Sequence, residues 1–249
     1  DLHAGGLTPG RHSRTTRPGR ERSVLALRPP QPVYTIHRAA HFTTGFPLAL
    51  VRVRSHAASQ LHSHDFSELV VVLRGTGLHV TVAGDWPIGA GDVFVLHGDE
   101  AHGYQDTSNL DLVNILFDLE ELGVPRRDVA ALPGYHVLFT LEPLYRSRDR
   151  FASRLRLAPD ELRQVATQID RLADELDRRP PGWQFAASSC FTLLLTDLSR
   201  RYTGGEDLPG ESLHRLGRVI SHLELHYAEP VTLDDLAAKS ATAVDDSKF

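Results

Sequence analysis

From about Ala49 to Asp118 the chain is a series of short β-branched runs punctuated by glycine, with no stretch between them long enough for a helix. Leu48, Leu50, Arg52 and Arg54 alternate with Ala49, Val51, Val53 and Ser55, and Leu69–Leu73, Leu78–Val82, Val93–Leu96 and Leu112–Phe117 follow. Branched and aromatic side chains in short alternating segments fit a pleated surface with one buried face. Gly75, Gly77, Gly84, Gly89, Gly91 and Gly98 separate the runs and read as turns. Evenly spaced strands joined this way predict a sandwich or a barrel.

The texture changes after Ala158. Leu162, Val165, Ile169, Leu172 and Leu176 recur at threes and fours between charged residues, which is an amphipathic helix. Pro159, Asp160 and Glu161 open it, and Pro180-Pro181-Gly182 closes it. A second helix, over about residues 184–202, carries Phe185, Phe191, Leu194, Leu195 and Leu198. Two long helices across a three-residue turn predict an antiparallel hairpin. Its leucine stripe reads as hairpin core, with self-association as the alternative. Residues 203–212 have the composition of a linker. A third helix follows, with Leu216, Val219, Ile220 and Leu223 on one face, until Pro230 stops it. A fourth starts at Thr232, whose hydroxyl and the Asp235 carboxylate form a short capping box.

A 249-residue chain that is 41% hydrophobic and 24% charged accommodates one large domain with appendages. No window approaches the roughly 18 consecutive apolar residues of a membrane span. The first residues lack the apolar centre of a secretion signal, so residence in the cytoplasm is expected. The lone Cys190 excludes a disulfide framework and, inside CFTLLL, reads as a buried inert thiol. A net charge of −5 gives no general attraction to nucleic acid. Five arginines against one glutamate between Arg11 and Arg22, amid Gly, Pro, Ser and Thr, mark residues 1–30 as a disordered basic tail. A nucleic-acid-contacting arm is its alternative reading.

The chemistry concentrates in HSHDFSELVVVLRGTG, residues 62–77. On an extended strand His62, His64 and Glu68 share parity and face one side. Two residues along a strand is about 6.6 Å, close enough for two imidazoles to converge on one ion. Two such nitrogens and a carboxylate suit Fe, Mn, Ni or Zn, with a fourth ligand from elsewhere.

This spacing resembles a known family. His62-x-His64-x3-Glu68-x6-Gly75 matches the first motif of cupins, with His56 where that motif has a glycine. Gly84 to His102 is similar to the second motif: Gly91-Asp92 supplies its turn, while Gly89 and His97 stand where prolines are usual. His102 falls at the fourth ligand position. The resemblance implies a cupin-type double-stranded β-helix barrel over residues 31–157, in a chain that is mainly β with α. It also implies a divalent metal (Zn, Ni, Mn or Fe) held by His62, His64, Glu68 and His102.

More narrowly, HSHDFSELVVVLRGTGLHV and GDVFVLHGDEAHGYQD look like the effector domains of AraC-type transcriptional regulators, particularly rhamnose-responsive ones. Over about residues 33–240 this resemblance implies a barrel that binds a small-molecule effector, possible sugars included, and a hairpin at 158–202 that forms homodimers. After the 203–212 linker it implies a partial helix-turn-helix domain at 213–249, announced by Tyr227, Pro230, Thr232-Leu233 and Leu236-Ala237. The recognition helix is absent, so DNA is reached only through a complete helix-turn-helix domain.

Trp86, Tyr104 and Asn114 are candidates for contacting the effector, because aromatic faces and amides suit sugars; packing is their alternative role. Asp65 and Asp92 read as turn-fixing, and Arg52 and Arg54 as solvated. No Ser-His-Asp set, phosphate loop or dinucleotide fingerprint is present, and no catalytic residue is assigned. A sensor rather than an enzyme is expected. The rivals are a metal-dependent cupin oxygenase or isomerase, and a dimerisation module that only pairs with intact regulators.

Overall fold

The computed structural model describes residues 33–124, 126–149, 154–202 and 208–241. All belong to one compact unit, Pro32–Phe249. The basic tail read at 1–30, linker residues 203–207 and the last residues, 242–249, lie outside the described residues.

Among the described residues eight strands make one sheet: β1 (Tyr34–Ile36), β2 (Leu48–Val53), β3 (His62–His64), β4 (Ser67–Thr81), β5 (Asp85–Gly89), β6 (Asp92–Leu96), β7 (His102–Phe117) and β8 (Leu155–Arg156). The long strands β4 and β7 pair antiparallel from Ser67↔Phe117 to Thr81↔His102. One half of this ribbon is flanked by β6 and β2, through Val70↔Phe94 and Val51↔Asn114. The other half is flanked by β5 and β3, through His79↔Trp86 and His62↔His102. The halves close face to face: Val70, Phe94 and Leu112 share a core with Tyr104 and Ile88. The result is the barrel expected from the sequence, mainly β with α.

The strands are fewer and longer than the glycines suggest. Gly75 and Gly77 are not turns; they lie inside the 15-residue β4. Register shifts between Val72 and Leu78 mark where the ribbon folds over, as bulges do by sharpening local bend. Gly75 has φ +78°, and a Cβ there would sit 2.1 Å from the Asn109 carbonyl oxygen, so the crossing requires glycine. The polar start of β7, His102 to Asn109, is a strand although its sequence shows no hydrophobic run.

Leu69, Val71, Val113, Ile115 and Phe117 face out of the barrel and are buried by the helical hairpin. Its helices are α4 (Pro159–Arg178) and α5 (Trp183–Arg201). Val165, Ile169, Leu172 and Leu176 of α4 are buried as expected, as are Phe191, Leu194, Leu195 and Leu198 of α5. Phe185 is not; it is 82% exposed. Arg52, read as solvated, donates to Asp170 of α4 at 2.6 Å.

Residues 126–149 form a helical segment that the sequence reading missed: α1 (Arg126–Ala130), α2 (Pro133–His136), a π-helical turn (Val137–Leu141) and α3 (Glu142–Asp149). Onto it packs α6 (Leu208–His226), which takes in residues 208–212 of the expected linker. A Cβ on Gly217 would lie 2.6 Å from the Pro133 oxygen, so α6 approaches backbone to backbone. Its buried face accordingly runs through Leu213, Gly217 and Ser221, while Leu216 and Leu223 stay 37% and 39% exposed. The final helix, α7 (Leu233–Ala241), begins with the expected box: the Asp235 N–H donates to Thr232 Oγ1 at 3.2 Å and the Thr232 N–H to Asp235 Oδ2 at 3.0 Å. None of its residues is buried. No described helix is long and apolar enough to cross a membrane.

Candidate functional site

Directly paired residues on neighbouring strands share a face of the sheet, so the register decides what looks into the barrel. In the first half the inward rows are Val53–Leu112–Val72, Val51–Asn114–Val70–Phe94 and Ala49–Leu116–Glu68–Leu96. In the second half they are Trp86–His79–Tyr104 and Thr81–His102–His62. One end of the interior is therefore almost wholly apolar, and the other is lined by imidazoles, a phenol and an indole.

Glu68 reaches from the apolar half to the polar one. Its Oε2 lies 3.0 Å from His64 Nε2 and 3.8 Å from His102 Nε2, and all three side chains are buried. Their ligand atoms fall within 4.8 Å of one another, which among the described residues singles out His64, Glu68 and His102. His62 stands beside this trio, not in it. The expected continuous strand breaks at Asp65–Phe66, between β3 and β4, so His62 lies toward the rim, partly exposed, with its ring 4.4 Å from that of His102. Asp65 holds this bend by accepting the Arg38 N–H at 2.6 Å.

The Nδ1 atoms of all three histidines face carbonyl oxygens: His64 that of Phe66 at 2.7 Å, His102 that of Glu100 at 3.0 Å and His62 that of Gln60 at 3.2 Å. A ring nitrogen facing a carbonyl carries the proton, which leaves Nε2 as the lone-pair atom. Backbone carbonyls orient metal-binding histidines in this manner. His64 Nε2, His102 Nε2 and Glu68 Oε1 are buried without a hydrogen bond. Two neutral nitrogens and a carboxylate oxygen, pre-aimed and otherwise unsatisfied, fit a first-row divalent ion. Burial holds His102 neutral, pushing it down to about 4, against a partial upward pull from Glu68. Desolvation pushes Glu68 up, yet the contact with His64 and the electrostatic pull of the His102, His64 and His62 rings bring it below the usual carboxylate range.

The three candidate effector contacts all face inward. Tyr104 is 1% exposed, and burial raises its phenol well above the ordinary value. Its hydroxyl, the Trp86 Nε1 and the Asn114 Oδ1 are buried with no hydrogen-bond partner. Tyr104 and Trp86 flank His79 on the adjacent strands, whereas Asn114 sits in the apolar half between Val51 and Val70. His79 was not foreseen. Its ring packs 5.0 Å from Phe94, 5.7 Å from Tyr104 and 5.9 Å from His102, and burial drives its pKa well down. Its alternation with Thr81 in LHVTV was the signal available in the sequence.

Two outer contacts reach this chamber. The β1 strand runs parallel to β3, and Tyr34 stacks on His62 with ring centroids 5.5 Å apart. On the other side Arg146 of α3, itself buried, donates to both oxygens of the fully buried Glu142, to the Val95 carbonyl and, at 2.7 Å, to Glu100. Glu100 is the residue whose carbonyl orients His102. Asp92, read as turn-fixing, does accept the Gly89 N–H at 2.8 Å, and also pairs with Arg154 at 3.0 Å.

A barrel with an inward-facing polar chamber, backed by a helical hairpin, defines a ligand-binding domain. The chain belongs to the family of the AraC-like ligand binding domain, whose model matches residues 47–189. It is similar to the HTH-type transcriptional activator RhaR of Shigella flexneri serotype 5b (strain 8401), 32% identical over 174 residues, or 70% of this chain and 58% of the relative. RhaR of Escherichia coli (strain K12) is 31% identical over the same shares. The chain thus spans less than two thirds of the length of these relatives. Among solved structures it is similar to an RmlC-like cupin from Shewanella frigidimarina NCIMB 400, 19% identical with a TM-score of 0.27 over 29% of this chain and 67% of that one. KdgF from Halomonas sp. is 18% identical with a TM-score of 0.27, over 29% and 70%.

Proposed function

We propose that this chain is the effector-sensing and dimerising part of an AraC-type transcription regulator and has no catalytic role of its own. One observation carries the reading: His64 Nε2, Glu68 Oε1, His102 Nε2, the Tyr104 hydroxyl and Trp86 Nε1 are buried in the barrel without a hydrogen-bond partner. Leaving such groups unsatisfied costs about 1–3 kcal/mol each, a cost that a bound ligand would relieve. A small neutral molecule such as a sugar would stack on Trp86 and bond to Tyr104, with Asn114 deeper in. His64, Glu68 and His102, with His62 at the rim, would hold a Zn, Ni, Mn or Fe ion. That ion would supply a Lewis-acidic anchor for a ligand oxygen.

Occupancy reaches the rest of the molecule through two contacts. The β1 strand covers His62, so a ligand beneath it favours the strand docked. The Glu100–Arg146–Glu142 linkage joins the His102 loop to α3, which continues through α2 to α6. A ligand shifts this equilibrium only by its difference in affinity for the two placements. Homodimers form through the outer face of the hairpin, where Phe185 and Leu193 are 82% and 65% exposed. DNA is contacted only through a complete helix-turn-helix domain, of which α6 and α7 are the opening helices.

Titration calorimetry with a panel of sugars, sugar acids and phenolics tests the reading. Saturable binding that Tyr104→Phe weakens supports it. No heat from any member of the panel contradicts it.

A further inference from the structure

The C-terminal turn of α6 carries a pair of histidines that neither the barrel nor the DNA-binding reading uses. His222 and His226 lie one helical turn apart with ring centroids 4.4 Å from each other and planes inclined at 41°. Side chains four residues apart project side by side from one face of a helix. Two histidines at this spacing are a bidentate grip for zinc in metalloprotease helices. Both rings are partly exposed, so an ion has an open approach.

The surroundings complete the grip. Glu229 lies just past the helix, where its N–H donates to the His226 carbonyl at 2.9 Å and its Oε2 sits 3.0 Å from His226 Nδ1. A carboxylate at Nδ1 fixes the proton there and frees Nε2 as the ligand atom. Asp235, capping α7, is near enough for its charge to be felt by His222. Arg218, a turn before His222, also touches His214 and directs its guanidinium to the carbonyls of Lys239 and Ser240.

We propose that His222 and His226, oriented by Glu229, form a second transition-metal site at the junction of α6 and α7. It takes Ni(II), Cu(II) or Zn(II) through the two Nε2 atoms, with water completing the coordination. Neutral imidazoles suit these ions and not Mg(II) or Ca(II). A bound ion pins the last turn of α6, and with it the bend that sets the direction of α7.

The test is calorimetric titration of Ni(II) into the intact 249-residue chain and into His222→Ala, His226→Ala and Glu229→Gln. Each histidine variant loses one equivalent of Ni(II) while its thermal unfolding in the absence of metal is unchanged. Glu229→Gln keeps the equivalent but binds about 10–100-fold more weakly. Any equivalent held by the barrel persists in all three variants, so this outcome is independent of the barrel reading. Unchanged stoichiometry and affinity in both histidine variants, or no Ni(II) uptake by the chain at all, overturns the proposal.

Discussion

The two ends of the barrel are built from the same two strands and differ in what they turn inward. Where β4 and β7 run beside β6 and β2, the inward rows are mostly Val, Leu and Phe side chains, and those on β4, β6 and β7 have almost no access to water. Beyond the bend at Gly75 the same strands present His79, Thr81, His102 and Tyr104. The first end is packed for stability, and only Asn114 and Glu68, which reaches toward the other end, bring polar groups into it. The second gives up apolar burial for polar side chains, among which His102 Nε2 and the Tyr104 hydroxyl are buried without a hydrogen bond. Functional sites commonly depart from what stability alone would choose, and the bend is where this molecule makes the change.

Truncation should hurt the apolar end most. Phe94 is fully buried between Val70 and the ring of His79, so Phe94→Ala is expected to cost roughly 3–5 kcal/mol in urea unfolding. A loss below about 1 kcal/mol would mean that this end is not the packed core.

Acid should act through the polar end. In the metal-free protein His102 stays neutral to about pH 4, whereas the unfolded chain takes up that proton near pH 6.5. Between these values the unfolded state binds more protons, so stability falls as pH drops through the window, by on the order of 3 kcal/mol. His79, also held neutral by burial, acts in the same direction. Glu68, kept below its ordinary value, adds a further loss once it is protonated. Urea midpoints measured across this range check the slope, and His102→Gln should flatten it.

Tyr104→Phe separates the two roles. Because the hydroxyl makes no hydrogen bond, its removal should cost less than about 1 kcal/mol of stability while weakening effector binding by roughly tenfold, about 1.4 kcal/mol. A large loss of stability with unchanged binding would reverse the roles of the two ends. The smallest effect on the fold lies outside the barrel. Phe185→Asp with Leu193→Asp should leave monomer stability within about 0.5 kcal/mol and abolish dimers in sedimentation.

The apolar end and the α4 stripe were legible because their residues follow the period of their own element. Leu162 to Leu176 and Leu69 to Leu73 announce helix and strand, respectively, without help. The polar half of β7 was not, since HGYQDTSN has no hydrophobic alternation and is held by its partner β4. His79 was overlooked although it alternates with Thr81 in LHVTV; its inward direction follows from pairing with Tyr104 and Trp86. The face of α6 was misread because a glycine, not a leucine, makes the close contact; a helix that packs through Gly217 leaves its apolar residues at the surface. His62, His64 and Glu68 were found through their spacing and His102 through the resemblance to the second cupin motif, but the bend at Asp65–Phe66 that sets His62 apart from the trio exists only in three dimensions.

The central claim is that the polar end of the barrel is the binding site. Imidazole 15N–1H spectra of the intact protein, recorded while the sugars, sugar acids and phenolics are added in turn, test it most directly. The account predicts that a binding compound shifts the signals of His62, His64, His79 and His102 and leaves His214, His222 and His226 in place. Binding that shifts only the helical histidines, and none of those in the barrel, would contradict it.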